Sequence, residues 1–229
     1  MKDTEDSRER YYNYVERQLR GYEITAKMIG YIVKKMQEAS IISPNISISG
    51  RIKSFKSVYE NIGKKAVDDC FGIRIIGSKK DLKEIEQKIS QILVVDTIKD
   101  HRKKKSTKYN AIHEMAHMNE RYAEKNGIDP LLFPEVEIQY WDEEMKTQCT
   151  HGELSYANYK KINLKEILDM LDKNPEDLFK DLPTYYEIEG NNIRILSSEE
   201  TFYKLFPEIK ELEEKRRELV IVSADGMQR

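Results

Sequence analysis

The sequence predicts an α+β domain: a mixed β-sheet flanked by helices, with an N-terminal helix before it and a helix and hairpin extension after it. Three observations carry this. Alternating or β-branched runs recur at 46–53, 67–77, 94–98 and 134–141. Stretches of helical periodicity separate most of them. A long helical stripe precedes the first run, and a hairpin pattern with more helix follows the last. Strands and helices in that alternation bury their apolar sides by laying helix on sheet.

The chain has 229 residues, 39% apolar and 35% charged, with a net charge of −2. That length fits one domain with extensions. The expected divisions are an N-terminal helical segment at 1–42, a core at 43–161 and a C-terminal extension at 162–229. A net charge so near zero gives no global pull on nucleic acid, so any attraction to phosphate must be local. The two cysteines, Cys70 and Cys149, lack metal-ligand spacing. No signal-peptide pattern and no apolar run near 18 residues is present, which predicts a cytoplasmic chain with reduced thiols and no membrane span.

From Tyr11 to Ala39, the residues Val15, Leu19, Tyr22, Ala26, Ile29, Val33 and Met36 recur in steps of four and three, one stripe of a helix. This stripe is expected to pack on the domain or on a second subunit. Ser43-Pro44-Asn45 ends it. Ile46 to Ser49 alternates and runs as a strand into Gly50-Arg51-Ile52-Lys53, where Arg51 and Lys53 share a face. Ser54 then caps a helix to about Lys65. Val67 to Gly77 is β-branched enough for a central strand, with Asp69 near its start and Arg74 inside it. Lys79 to Leu93 is an amphipathic helix through Leu82, Ile85 and Ile89. Val94 to Ile98 is a short strand, and residues 119–133 read as a polar connection. Pro134 to Trp141 alternates, with Glu135, Glu137, Gln139 and Trp141 on one side. Asp142 caps a helix running towards Lys160. Ile162 to Leu171 is a short helix. Thr184 to Ile188 and Ile193 to Leu196 flank Gly190-Asn191-Asn192 as a hairpin. Glu199 to Leu219 is a helix interrupted at Pro207.

Residues 109–117 admit two chemistries. His113-Glu114-x-x-His117 is the zinc-protease pattern, which needs a helix and a third ligand. Tyr109-x-x-x-His113 instead offers an aromatic face and a polar partner behind a basic run. Residues 99–109 hold six Lys or Arg against one Asp, a local charge of +5. Acidic residues on two strands, Asp69 and Glu137, suit Mg²⁺ held against a triphosphate, because Mg²⁺ takes few carboxylates plus phosphate oxygens. Arg51, Lys53 and Arg74 supply cations for the phosphates.

Taken together, Gly50 to Lys160 resembles the synthetase domain of the RelA/SpoT alarmone enzymes. Gly50-Arg51-x-Lys53-x-x-x-Ser57 resembles the ATP-binding segment. Asp69-x-x-Gly72-x-Arg74-Ile75-Ile76 resembles the magnesium-binding strand. Lys99-Asp100 and Tyr109-x-x-x-His113 resemble the acceptor loop, Val136-Glu137-Ile138-Gln139 the second acidic strand, and Gly152 with Tyr159-Lys160 the helix after it. The resemblance implies a nucleotidyltransferase-like fold and a pyrophosphokinase that moves the β,γ-pyrophosphate of ATP to a ribose 3′-hydroxyl of GDP or GTP, making (p)ppGpp. It implies Asp69 and Glu137 as catalytic residues on Mg²⁺, Glu137 alternatively being the base. Arg51, Lys53, Ser57 and Arg74 would lie on ATP, and Lys108, Tyr109, His113 and Gln139 on the acceptor.

The sequence departs from the family on the acceptor side. Lys108 stands where Gly is usual, Ala111 for Ser, Trp141 for Arg and Tyr156 for His. This keeps a second acceptor open: the 3′ end of tRNA, or an adenosine nucleotide, as in toxic members of the superfamily. A neutralising antitoxin would then be expected. A catalytically inactive nucleotide-binding module is a third possibility. No His is followed by Asp, so the hydrolase half of the long family members is not expected.

Overall fold

The computed structural model describes residues 22–43, 46–59, 70–103, 108–130, 133, 135–189 and 192–226. Among them, seven strands form one mixed sheet. These are β1 (Ser47–Ile52), β2 (Phe71–Ile76), β3 (Leu93–Asp100), β4 (Ile112–Met118), β5 (Val136–Trp141), β6 (Thr184–Glu189) and β7 (Asn192–Ile195). Their order is β3-β4-β5-β2-β1-β6-β7. Only β2 and β5 run parallel among these pairs.

The two faces of this sheet differ in chemistry. One carries Ile48, Ile52, Phe71, Ile73, Ile75, Ile112, Ala116, Val136, Ile138 and Tyr186, all buried in the core. Helix α1 (Tyr22–Glu38) lays Ile29, Val33 and Met36 of its stripe into that core, together with Ile32 beside them. A Cβ on Gly30 would lie 2.0 Å from Ile193 Cδ1, so the glycine that weakens α1 also lets it approach β7. Helix α3 (Lys79–Lys88) adds Ile85, and Ser78 caps it by accepting from the Asp81 amide. Alternation puts Arg51, Arg74, Glu137, Gln139 and His113 on the other face.

Gly50 sits on the core face. A Cβ there would lie 1.7 Å from the Tyr186 ring carbon Cζ. Gly50 and Tyr186 are register partners on β1 and β6. The fully buried ring thus fills the space over the glycine, and its hydroxyl donates to the Gly72 carbonyl at 3.2 Å. This contact ties the hairpin β6–β7 to the centre of the sheet.

Several boundaries differ from expectation. The helix expected to Leu93 ends at Lys88, followed by a 3₁₀ turn, Ile89–Gln91. Leu93 already belongs to β3, and an apolar helix stripe running into an apolar strand start hides the change. β3 itself continues to Asp100. The connection expected at 119–133 contains helix α4 (Glu120–Lys125), with Asn119 accepting from the Tyr122 amide. The helix after Asp142 is split into α5 (Glu143–His151) and α6 (Tyr156–Lys160), while Asp142 does cap the first by accepting from Met145 N at 2.8 Å. The helix after Ser54, α2, is Phe55–Tyr59; residues 60–65 lie outside the described residues, as do 1–21 and 67–69. Beyond α7 (Leu164–Lys173) a further helix, α8 (Pro175–Phe179), forms with proline in its first turn.

The described residues up to Lys146, with Asp181–Leu196, form one compact unit that contains the whole sheet. Thr147–Lys180 and the described residues from Ser197 onward form a second. In the second unit Phe202 meets Phe179 and Phe206, ring centroids 5.3 and 5.1 Å away. There α9 (Ser198–Leu205) begins with a Ser197–Glu200 capping box, and α10 (Pro207–Gly226) starts at the proline expected to interrupt that helix. No helix among the described residues is long and apolar enough to cross a membrane.

Candidate active site

The polar face of the sheet gathers five of the predicted residues. Register sets Gln139 beside both Arg74 on β2 and His113 on β4, and Glu137 beside Gly72 and Met115. Arg74 donates to Gln139 Oε1 through Nε at 3.2 Å and Nη2 at 2.9 Å. Gln139 Nε2 donates to Glu137 Oε2 at 2.6 Å. His113 Nδ1 stands 2.9 Å from Glu137 Oε1, and its Nε2 stands 2.6 Å from the Tyr109 hydroxyl.

Trp141 closes this chain into a ring. Its indole Nε1 donates to the Tyr109 hydroxyl at 3.1 Å, and its ring lies 3.5 Å from the centre of the Arg74 guanidinium. The donors and acceptors are mutually consistent. With Glu137 ionised, Nδ1 of His113 carries the proton and donates; in the neutral imidazole Nε2 then accepts from Tyr109, whose oxygen accepts from Trp141.

Glu137 is only 6% exposed. Burial alone would raise its carboxyl. The hydrogen bond and charge of His113, the bond from Gln139 and the charge of Arg51 outweigh burial and bring it down to about 2. It is therefore a fixed negative charge at any ordinary pH. Each of its oxygens accepts one protein hydrogen bond and keeps further lone-pair capacity, which fits a single carboxylate ligand to a hard cation.

The other predicted residues fall as follows. Arg51 faces Gly72 across the β1–β2 pair and lines a narrow cleft with Ser49, Arg74, Gln139 and Tyr185. Lys53 lies just beyond β1, its amide donating to the Cys70 carbonyl. Ser57 is in α2, where its amide donates to Ser54 Oγ. Lys108 is exposed before Tyr109. Asp69, the expected partner of Glu137 on Mg²⁺, lies outside the described residues. Asp100 holds Arg102 through a two-point contact at 2.9 and 3.0 Å, which organises the start of the basic loop.

The zinc pattern does not form a ligand set. His113, Glu114 and His117 lie on β4, not on a helix. Four steps along the strand set the histidines about 13 Å apart, too far to share one ion. His113 turns to Glu137, and His117 pairs with Asp96 at 2.7 Å. Glu114 points to the opposite, core face and accepts from the Tyr140 hydroxyl at 2.6 Å. Among the described residues no group of three or more His, Cys, Asp or Glu could hold a metal.

Three residues of the site carry no signal of their own in the sequence. His101 meets Tyr109 and His113 with ring centroids 5.4 and 4.8 Å away. Tyr185 reaches the cleft because β6 pairs with β1. Trp141 stands out in the sequence only as a departure from the resembled pattern, although the period of two places it beside Gln139.

No family model and no curated protein matches the chain. Among solved structures it is similar to small alarmone synthetase 2 from Bacillus subtilis, at 16% identity and a TM-score of 0.46, covering 92% of this chain and 98% of that one. Small alarmone synthetase 1 from Bacillus subtilis, bound to its product pppGpp, is 18% identical over 74% of this chain and 95% of that one, with a TM-score of 0.44. A GTP pyrophosphokinase family protein from Streptococcus pneumoniae is 16% identical over 92% of this chain and 93% of that one, with a TM-score of 0.42.

Proposed function

We propose that the chain is an ATP-dependent pyrophosphotransferase that moves the β,γ-pyrophosphate of ATP to the 3′-hydroxyl of GDP or GTP. One observation carries this reading. Arg74, Tyr109, His113, Glu137 and Gln139 come from three separate motifs of the resembled family, and they converge in one hydrogen-bonded chain over one face of the sheet.

The reaction forms a bond between the acceptor 3′-oxygen and the β-phosphorus. It breaks the bond from that phosphorus to the α,β-bridging oxygen, and releases AMP and the hydroxyl proton. Such transfer depends mainly on positioning and on neutralising phosphate charge. Arg51 and Arg74 flank the cleft and take the phosphate charge. Glu137, with Asp69, is the proposed seat of Mg²⁺, which would offset triphosphate charge when bound. Each Glu137 oxygen keeps lone-pair capacity beyond its one protein hydrogen bond, which suits the role of ligand among its two candidate roles. Tyr109 and His113, oriented by Trp141 and Glu137, face the acceptor.

The test is transfer of label. The chain is incubated with ATP labelled in the γ-phosphate, Mg²⁺, and GDP, GTP or deacylated tRNA in turn. Labelled guanosine product is expected. Label on tRNA alone would replace the acceptor, in keeping with the +5 run at 99–109. Transfer to no acceptor would leave a binding module.

A further inference from the structure

The indole of Trp141 is used twice. Its face carries the Arg74 guanidinium, 3.5 Å from the ring centroid. Its edge donates from Nε1 to the Tyr109 hydroxyl at 3.1 Å. Trp141 is 6% exposed, its register partner on β2 is Ile76, and its backbone carbonyl accepts from Gly77 N at 3.1 Å. A buried ring on a strand so held cannot serve one neighbour in one rotamer and the other in another. Arg74 lines the cleft on the phosphate side, whereas Tyr109 leads into the basic loop.

We infer that Trp141 is a positioning residue that holds Arg74 and Tyr109 in one arrangement, so that a single indole sets the phosphate side and the acceptor side of the site together. The nucleotide part of this inference rests on the function proposed above; the positioning part does not. A phosphate ligand of Arg74 binds to a guanidinium whose plane is already fixed by the ring beneath it and by Gln139 beside it. An acceptor reaches a Tyr109 whose hydroxyl is already oriented, which fixes the ring that bears it.

Trp141 is the single tryptophan of the chain, so tryptophan emission reads its surroundings directly. The first arm of the test uses no ligand. Arg74→Gln removes the cation from the ring face, and Tyr109→Phe removes the acceptor from the indole N–H. Each is expected to shift or rescale the emission while the far-ultraviolet circular dichroism stays as in the wild type. If either folded variant emits as the wild type does, the inference is overturned.

The second arm separates face from edge by calorimetric binding of an ATP analogue with an α,β-methylene bridge, and of GDP. Trp141→Phe keeps an aromatic face and loses the N–H. It is expected to bind the analogue within about twofold of wild type and GDP roughly fivefold or more weakly. Trp141→Ala is expected to weaken both by roughly fivefold or more. Equal weakening of the analogue in both variants would overturn the use of the ring face. Should Trp141→Ala not fold, Trp141→Phe and Tyr109→Phe suffice: Tyr109→Phe, which also loses the bond to His113, must weaken GDP at least as much as Trp141→Phe, and a smaller loss sinks the inference. A wild-type chain that binds neither nucleotide, yet shows both emission shifts, refutes the nucleotide reading and leaves the positioning role standing.

Discussion

His113 Nδ1 and Glu137 Oε1 lie 2.9 Å apart on neighbouring strands, with the histidine 13% and the glutamate 7% exposed in their side chains. Because His113 pairs in register with Gln139 rather than with Glu137, the contact is diagonal across β4 and β5. It leaves Gln139 free to turn towards Arg74 while still donating to Glu137. This relationship makes Glu137 a permanent charge and gives the site its measurable pH behaviour.

Glu137 ionises at about 2 in the fold, against an ordinary value of 4.5. A depressed carboxyl contributes stability that is present above 4.5 and lost as the pH falls towards 2. The contribution is roughly 3 kcal/mol. Urea unfolding of the wild type and Glu137→Gln should therefore give free energies that converge as the pH falls from 5 to 2. Curves that stay parallel over this range would rule out the depressed carboxyl.

Glu137→Gln and Asp69→Asn are each expected to abolish transfer without unfolding the chain. Gln at 137 keeps an oxygen that can accept from His113 while losing the charge. Retained transfer in the labelled-ATP assay, by either variant, would contradict the two-carboxylate assignment.

Arg74→Lys keeps a positive charge but loses the planar fork on Gln139 and the stack on Trp141. The KM for ATP should rise about tenfold or more, with transfer still detectable; this corresponds to about 1.4 kcal/mol. Steady-state kinetics at varied ATP measures it, and an unchanged KM would remove Arg74 from the phosphate side.

Gly50→Ala forces a methyl into the buried Tyr186 ring. Overpacking of this kind costs about 1–3 kcal/mol, and a backbone this confined points to the upper end. Tyr186→Phe removes only the hydroxyl bond to the Gly72 carbonyl and should cost about 1 kcal/mol. Denaturant midpoints compare the two, and Gly50→Ala must be the more damaging.

Glu114 tests the fate of the zinc pattern. Burial pushes its carboxyl up, only partly offset by the bond from Tyr140, and Glu86 pushes it further. A raised carboxyl contributes stability that is complete below 4.5 and lost as the pH rises through its folded value. Glu114→Gln removes that loss. Its melting temperature, relative to wild type, should be higher at pH 8 than at pH 4, and thermal unfolding at the two pH values measures it. Transfer activity should survive, whereas a zinc protease role would make the substitution lethal to function.

What the sequence by itself determined is local. Alternation at 134–141 places Glu137, Gln139 and Trp141 on one side of a strand. Side-chain chemistry makes Ser54 and Asp142 caps, and Pro207 interrupts the last helical stretch. His113 and His117 share a face for the same period-two reason, yet whether 109–117 was strand or helix could not be read from five residues. Strand order and register decided the rest, because both depend on residues far apart in the chain. They set Arg74 against Gln139 across 65 positions, gave Gly50 its partner in Tyr186, and turned Glu114 into the core. Trp141 shows the division most clearly. Its face on the strand was legible from alternation, but only the pairing of β5 with both β2 and β4 brought it to Arg74 and Tyr109 at once.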